Sequence, residues 1–420
     1  MRPEEAERMR TTTTARQGLA LAGGGPLGGI YELGALIALE ESLTGFNLVD
    51  CDVYVGVSVG AVFASCLANG IRPRELYCMT TSGEAADDPF DPARLLQPAW
   101  QEFTRRAAGL PSLFLTSFIH WMRQPFLLGM IESFERIFRA IPTGMFDSAP
   151  LASSLARLFA APGRTNEFRK LKNKLFVVAA ELDSSRSVPF GAPGHDDVSI
   201  SRAVQASVSL PGYYPPVSIN GHSYVDGVLN KTLHASVALA EGVKLLICIN
   251  PLVPFDRALA TEHHPKDYGP LLGYGLPLVM SQTFRAIIHS RMRTAFGRYA
   301  AEYPDADIVL FEPPTDDPEM FFVNVFSYAD RKRLCEHAYQ QTRRELRRRA
   351  DTLEPILAKH GAALNRTTLD DANRTLAATV AAPAYSRLVS LFFKPFDHAL
   401  ARLEASLSPA EAGTSERSPP

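Results

Sequence analysis

The sequence predicts an α/β protein whose helices flank a largely parallel sheet, and three observations carry that prediction. Residues 18–22 (Gly-Leu-Ala-Leu-Ala) are a short apolar run leading into a glycine-rich turn and then a helical stretch over 30–42. Residues 52–57 repeat the arrangement, with an apolar helix over 61–68 closed by Gly70. Strand, helix, strand and helix in succession is how a parallel, helix-covered sheet begins. Later apolar runs at 174–180, 245–249 and 308–311 read as further strands, with a shorter one at Tyr224-Val225. That is the third observation.

Residues 81–166 break the pattern. Asp and Pro punctuation there gives way to aromatic and aliphatic clusters without strand signals, which reads as a helical insertion. After Tyr328 the chain is charged and helical over 331–357. The expected organisation is a flexible segment over 1–16 and a main domain over 17–330 that carries the insertion. A helical C-terminal extension follows over 331–405, and a Ser/Pro/Glu/Gly-rich disordered tail over 406–420.

Bulk properties narrow the classes. At 420 residues and 46% hydrophobic content the chain can bury a sizeable core. A net charge of −2 gives no reason to expect nucleic acid. Five cysteines, an odd number with no C-x-x-C spacing, lend little support to disulfides or zinc. Residues 1–17 lack the apolar stretch of a secretory signal. No run reaches the roughly 18 apolar residues of a membrane span; the nearest, 110–131, is interrupted by His120, Arg123, Gln124 and Pro125. These features predict a cytoplasmic protein in peripheral contact with membranes.

The chemistry concentrates in three places. Gly56-Val57-Ser58-Val59-Gly60 puts a serine on a sharp strand-to-helix turn between two glycines, the pattern of a nucleophile elbow. In a chain with 28 glycines such a match arises by chance roughly 0.1 times, so its setting must carry it. Ser58 taken alone could equally be a helix N-cap. The second place is the turn holding Gly23, Gly24, Gly25 and Gly28, directly after a strand and opening a helix. Its unhindered N–H groups suit an oxyanion hole. The same residues formally match G-x-G-x-x-G, and with Asp50 or Asp52 some 20 residues on they also read as a dinucleotide site. A glycine turn that merely lets helix and strand pack closely is the third reading. A P-loop is excluded, because no Lys-Ser/Thr follows. The third place is Asp226-Gly227, at a strand end after the rigid apolar loop Ser207-Val208-Ser209-Leu210-Pro211-Gly212-Tyr213-Tyr214-Pro215-Pro216-Val217. An aspartate before glycine is commonly a turn former, but that loop is suited to walling a dry pocket.

Taken together, these pieces resemble the patatin-like phospholipases, a family of lipid acyl hydrolases. The resemblance runs in blocks over residues 18–251 and weakly over 308–346, and includes residues 177–183, Ser185-Arg186 and Ala206-Ser207. It implies a three-layer α/β/α sandwich around a mixed, largely parallel sheet. It further implies Ser58 as nucleophile, Asp226 as its acid–base partner and the glycine turn as oxyanion hole. Gly56, Gly60 and Gly227 complete the elbow and turn motifs. The implied substrate is a phospholipid or another acyl lipid, with no cofactor or metal. Two positions depart from the family pattern: Leu27 stands where a basic residue is usual, and Val228 where glycine or alanine is usual.

A Ser–Asp dyad asks a carboxylate to deprotonate an alcohol, which requires a dry pocket that raises its pKa and strong oxyanion stabilisation. Within hydrolases the alternative is a triad in the order Ser, Asp/Glu, His, for which His222, His234, His263, His264, His289 and His337 are available; the alternative of another class is a non-catalytic or acyl-transferring relative that binds lipid. Residues 113–131, 271–280 and 388–396 are apolar enough to face lipid, and the first could cap Ser58; each also reads as buried helix packing. Residues 285–298 and 343–349 are arginine-rich and read as solvated helix faces or contacts for anionic lipid heads.

Overall fold

The computed structural model describes residues 16–81, 96–106, 141–263, 269–322 and 328–380. Its centre is an eight-stranded sheet. The strands are β1 (Gln17–Leu21), β2 (Val53–Val57), β3 (Lys174–Glu181), β4 (Ser187–Phe190), β5 (Val217–Ile219), β6 (His222–Asp226), β7 (Leu245–Ile249) and β8 (Asp307–Phe311). Their order is β5-β6-β3-β2-β1-β7-β8, with β4 also paired to β3. The five strands from β3 to β8 along that order are mutually parallel. The pairings of β4, β5 and β6 are antiparallel. The sheet is therefore mixed and largely parallel.

The main helices flanking the sheet are α1 (Gly25–Ser42), α2 (Val59–Ala68), α3 (Ala149–Phe159), α4 (Ile200–Ser207), α5 (Ala235–Ala240), α6 (Leu276–Glu302), α7 (Tyr328–Arg348) and α8 (Ala350–Lys359). Alternation along the strands sorts the core into two halves, because successive side chains point to opposite faces. Leu19, Leu21, Tyr54, Leu175, Val177, Leu245 and Ile247 face a core built with α1, α2, α3, α4, α7 and α8. Ala20, Val53, Val55, Phe176, Val178, Leu246 and Cys248 face the other, covered by α5 and α6. Two helical layers thus enclose the sheet.

The central strands are buried on both faces, which is why they stand out in the sequence as continuous apolar runs. Strands β4 and β5 do not. They are short, and β4 contains Pro189, which an edge pairing tolerates. The first helix begins at Gly25 rather than at residue 30, since the fixed φ of Pro26 suits a first helical turn. Residues 343–349 form a solvated face only in part: Arg344 and Arg348 are exposed, but Arg343 is not. Arg343 is 1% exposed and bonds the carbonyls of Thr368, Leu369 and Asp371. Arg285 is buried too. The apolar segments 113–131 and 388–396, most of the expected insertion, and His264 lie outside the described residues.

Candidate active site

Strands β1 and β2 are adjacent and parallel, so their C-terminal ends lie side by side and each opens directly into a helix. Two helix N-termini, with free N–H groups and positive dipole ends, therefore converge on one edge of the sheet. Strand β6 runs antiparallel on the far side of β3, with Asp226 opposite Ala179, and delivers its last residue to the same edge.

Ser58 is the turn residue between β2 and α2. Its φ of 53° and ψ of −124° are unusual for a residue with a side chain, a strained geometry that surrounding structure must hold in place. The backbone N–H of Ser58 donates to Ser207 Oγ at 2.8 Å, and that hydroxyl donates onward to Val178 O at 2.6 Å. One buried side chain thus ties the elbow to β3. Ser58 Oγ donates to Asp226 Oδ2 at 2.6 Å. The other carboxylate oxygen accepts from Val228 N at 2.9 Å, and Asp226 N donates to Ser209 O at 3.0 Å. Ser58 is 6% exposed and Asp226 2%.

That burial sets the electrostatics. It pushes the Asp226 carboxyl up to about 7, against the lowering effects of the Ser58 and Val228 hydrogen bonds. The group is poised between acid and base near neutrality, as proton transfer from a serine asks of it. Among the described residues no histidine bonds to Ser58 or Asp226. His234 is buried, with Nε2 3.5 Å from Gly227 O, and burial pushes it down to about 4. His222 is exposed and faces Glu181, His263 meets Asp316, and His337 meets Asp317. His289 Nε2 lies 3.6 Å from Glu312.

The glycine turn lies against the serine. A β-carbon on Gly23 would stand 3.1 Å from Ser58 Cβ and 3.2 Å from Val228 Cγ2. Gly25 takes a φ of 60°, which glycine adopts without strain. The four N–H groups of the turn are not equivalent. Gly28 N donates to Gly24 O inside α1, and Gly23 N points to Thr232 O at 3.4 Å. Among the described residues, those of Gly24 and Gly25 have no backbone acceptor. Leu27 is partly buried against the first core. The turn therefore offers backbone donors and helix dipoles but no side-chain cation. Asp50 bonds Lys172 and Asn173, and Asp52 Oδ2 accepts from Gln17 N. Gln17 opens β1, at the opposite end of that strand from the glycine turn, so neither carboxylate that the dinucleotide reading needs stands beside that turn.

The sequence places Ser207 and Ser209 in the loop that walls the pocket but gives neither a hydrogen-bonding role. Nothing in the spacing of a Ser-Val-Ser stretch announces that one hydroxyl reaches the elbow 149 positions away.

A family model described as patatin-like phospholipase matches residues 19–239. The mouse and rat proteins named patatin-like phospholipase domain-containing protein 7 are 31% and 30% identical to this chain over 110 residues, 26% of its length. The chain spans 8% of the length of those relatives. Among solved structures, VipD from Legionella pneumophila aligns over 78% of this chain and 66% of its own at 15% identity, with a TM-score of 0.35. The type III effector protein ExoU aligns over 96% and 67% at 17% identity, with a TM-score of 0.33.

Proposed function

Because the chain belongs to the patatin-like phospholipase family, whose members are lipid hydrolases, we propose that it cleaves carboxylic esters of phospholipids or other glycerolipids through a Ser58–Asp226 dyad. One observation carries the reading: the 2.6 Å hydrogen bond from Ser58 Oγ to Asp226 Oδ2 in a site where both groups are buried. In this mechanism Ser58 Oγ attacks the ester carbonyl while its proton passes to Asp226. The charge developing on the carbonyl oxygen meets the N–H groups of Gly24 and Gly25 and the dipole ends of α1 and α2. A preorganised donor of this kind lowers the barrier by roughly 3 kcal/mol. The proton then moves from Asp226 to the departing alcohol or lysolipid. Water repeats the sequence on the acyl-enzyme and releases the fatty acid. With Leu27 in the turn, stabilisation rests on backbone groups alone.

The test is turnover of short- and medium-chain p-nitrophenyl esters. Ser58→Ala and Asp226→Ala should each lower kcat roughly a thousandfold or more, while His222→Ala and His234→Ala keep most of it. Full activity in Ser58→Ala, or loss confined to a histidine variant, would sink the dyad.

A further inference from the structure

Helix α6 carries an apolar face that no part of the described structure covers. Leu276, Met280, Phe284 and Ile287 are all exposed, Leu276 by 72%, and Leu272 in the turn before the helix by 79%. At 100° per residue these four helical positions fall within an arc of about 80°, and Arg291 and Arg298 continue the same arc. The flank of the helix beyond Phe284 is the packed one: Met292 and Tyr299 are buried, and Ile288, Ala295 and Phe296 lie against the second core.

The charge pattern says what the face fits. Helix α6 carries the exposed arginines Arg291, Arg293 and Arg298, beside the buried Arg285, against a single acid, Glu302, at its last residue, in a protein whose net charge is −2. An apolar stretch followed in line by cations matches a bilayer bearing anionic heads. A second copy of the chain fits less well, because the stretch from Leu272 to Arg298 offers no acidic side chain to meet the arginines across a two-fold contact.

Position supplies the second argument. Phe284 and Ile287 also line a cleft whose other wall is the Val228–Thr232 loop, with Lys231 and Arg291 adding positive charge. Val228 belongs to both cleft and dyad: its N–H bonds Asp226, and its side chain packs beside Gly23.

We propose that the Leu272–Ile287 face of α6 and the arginines that follow it are a docking surface for an anionic lipid bilayer, opening beside the Ser58–Asp226 site. This deepens the hydrolase reading, and for the substrate's route to Ser58 it rests on it. Val228, bulkier than the residue usual at this position in the family, then stands between the cleft and the serine.

The test is flotation of the full chain with vesicles of phosphatidylcholine alone and of an equimolar mixture with phosphatidylglycerol. The wild type should float with the anionic vesicles. A Leu272→Ser, Leu276→Ser, Met280→Ser variant should lose partitioning roughly tenfold or more. Arg291→Glu with Arg298→Glu should abolish the preference for anionic vesicles, and serves alone where the serine variant fails to fold. Equal flotation of wild type and both variants would overturn the proposal. So would a wild-type dimer that the serine variant makes monomeric with flotation unchanged. The two readings fail separately: wild type that floats but turns over no soluble ester sinks the hydrolase, and wild type that turns over ester but does not float sinks the docking face.

Discussion

Asp226 pays for its chemistry in stability, and the sign of the effect is testable. Its carboxyl rises to about 7 in the folded chain because it is buried, against about 4 in an unfolded one. Between those values the folded chain holds a proton that the unfolded chain releases. The resulting stabilisation is full at low pH and is lost as pH rises through about 7. Activity runs the other way, because the base must be ionised: kcat/KM of the wild type should climb with pH and be half-maximal near 7. Asp226→Asn cannot ionise. Its stability relative to wild type should improve by on the order of a few kcal/mol between about pH 5 and about pH 8. Urea midpoints of the two proteins at both values decide it. A difference that stays constant would mean the carboxyl is not raised by burial.

At the scale of the element, the elbow depends on how closely α2 approaches β1. A β-carbon on Gly60 would stand 2.5 Å from both Leu21 O and Ala22 O, and neither backbone oxygen can yield without disturbing the sheet. Gly60→Ala should force α2 outward, cost about 1–3 kcal/mol and displace Ser58, so that kcat falls while KM changes little. Gly25→Ala makes the contrast: nothing lies within 4 Å of the added carbon, so only its φ of 60° opposes the change, at about 1 kcal/mol. Thermal unfolding and ester turnover of the two variants separate crowding from conformation. These glycines were legible in the sequence because their function depends on short spacing along the chain. The central strands were legible because burial on both faces leaves an uninterrupted apolar run. Strands β4 and β5 were not, since three or four residues at a sheet edge show no period. Ser207 was not, since its partner Ser58 is distant in sequence. Among the arginines of α7, Arg344 and Arg348 face solvent as the charge run suggests, but Arg343 does not, because a later segment covers it.

That segment ties the last described residues to the end of α1. Residues 363–380 return to α1: Ala363 and Leu364 pair with Thr44 and Leu43. Glu41 near the end of α1 accepts from Arg374 at 2.8 Å, from Thr379 Oγ1 at 3.1 Å and from Tyr339 OH. Helix α1 therefore runs some 27 Å from the glycine turn at one end to this clamp at the other. Arg343 is its centre. The guanidinium bonds Thr368 O and Asp371 O at 2.8 Å, Leu369 O at 3.1 Å and Arg374 O at 3.2 Å. It satisfies carbonyls that no aliphatic side chain can. Arg343→Met keeps most of the volume but takes a charged donor from all four oxygens, leaving Arg374 O with Gln340 Nε2, Leu369 O with Arg347 Nη1 and Asp371 O with Arg374 N, and should destabilise the fold by about 1–3 kcal/mol. Arg343→Lys should recover little of that, because an ammonium group lacks the planar fork that reaches several acceptors at once. Ester turnover of the folded fraction should stay near wild type, since the clamp lies at the far end of α1 from the glycine turn. Limited proteolysis reads the outcome directly. If the clamp holds residues 363–380 in place, cleavage in Arg343→Met begins there, well before the sheet is attacked. Cleavage that starts uniformly, or a variant as resistant as wild type, would show that the apolar contacts of Leu369, Leu376 and Val380 with the first core hold the segment without it.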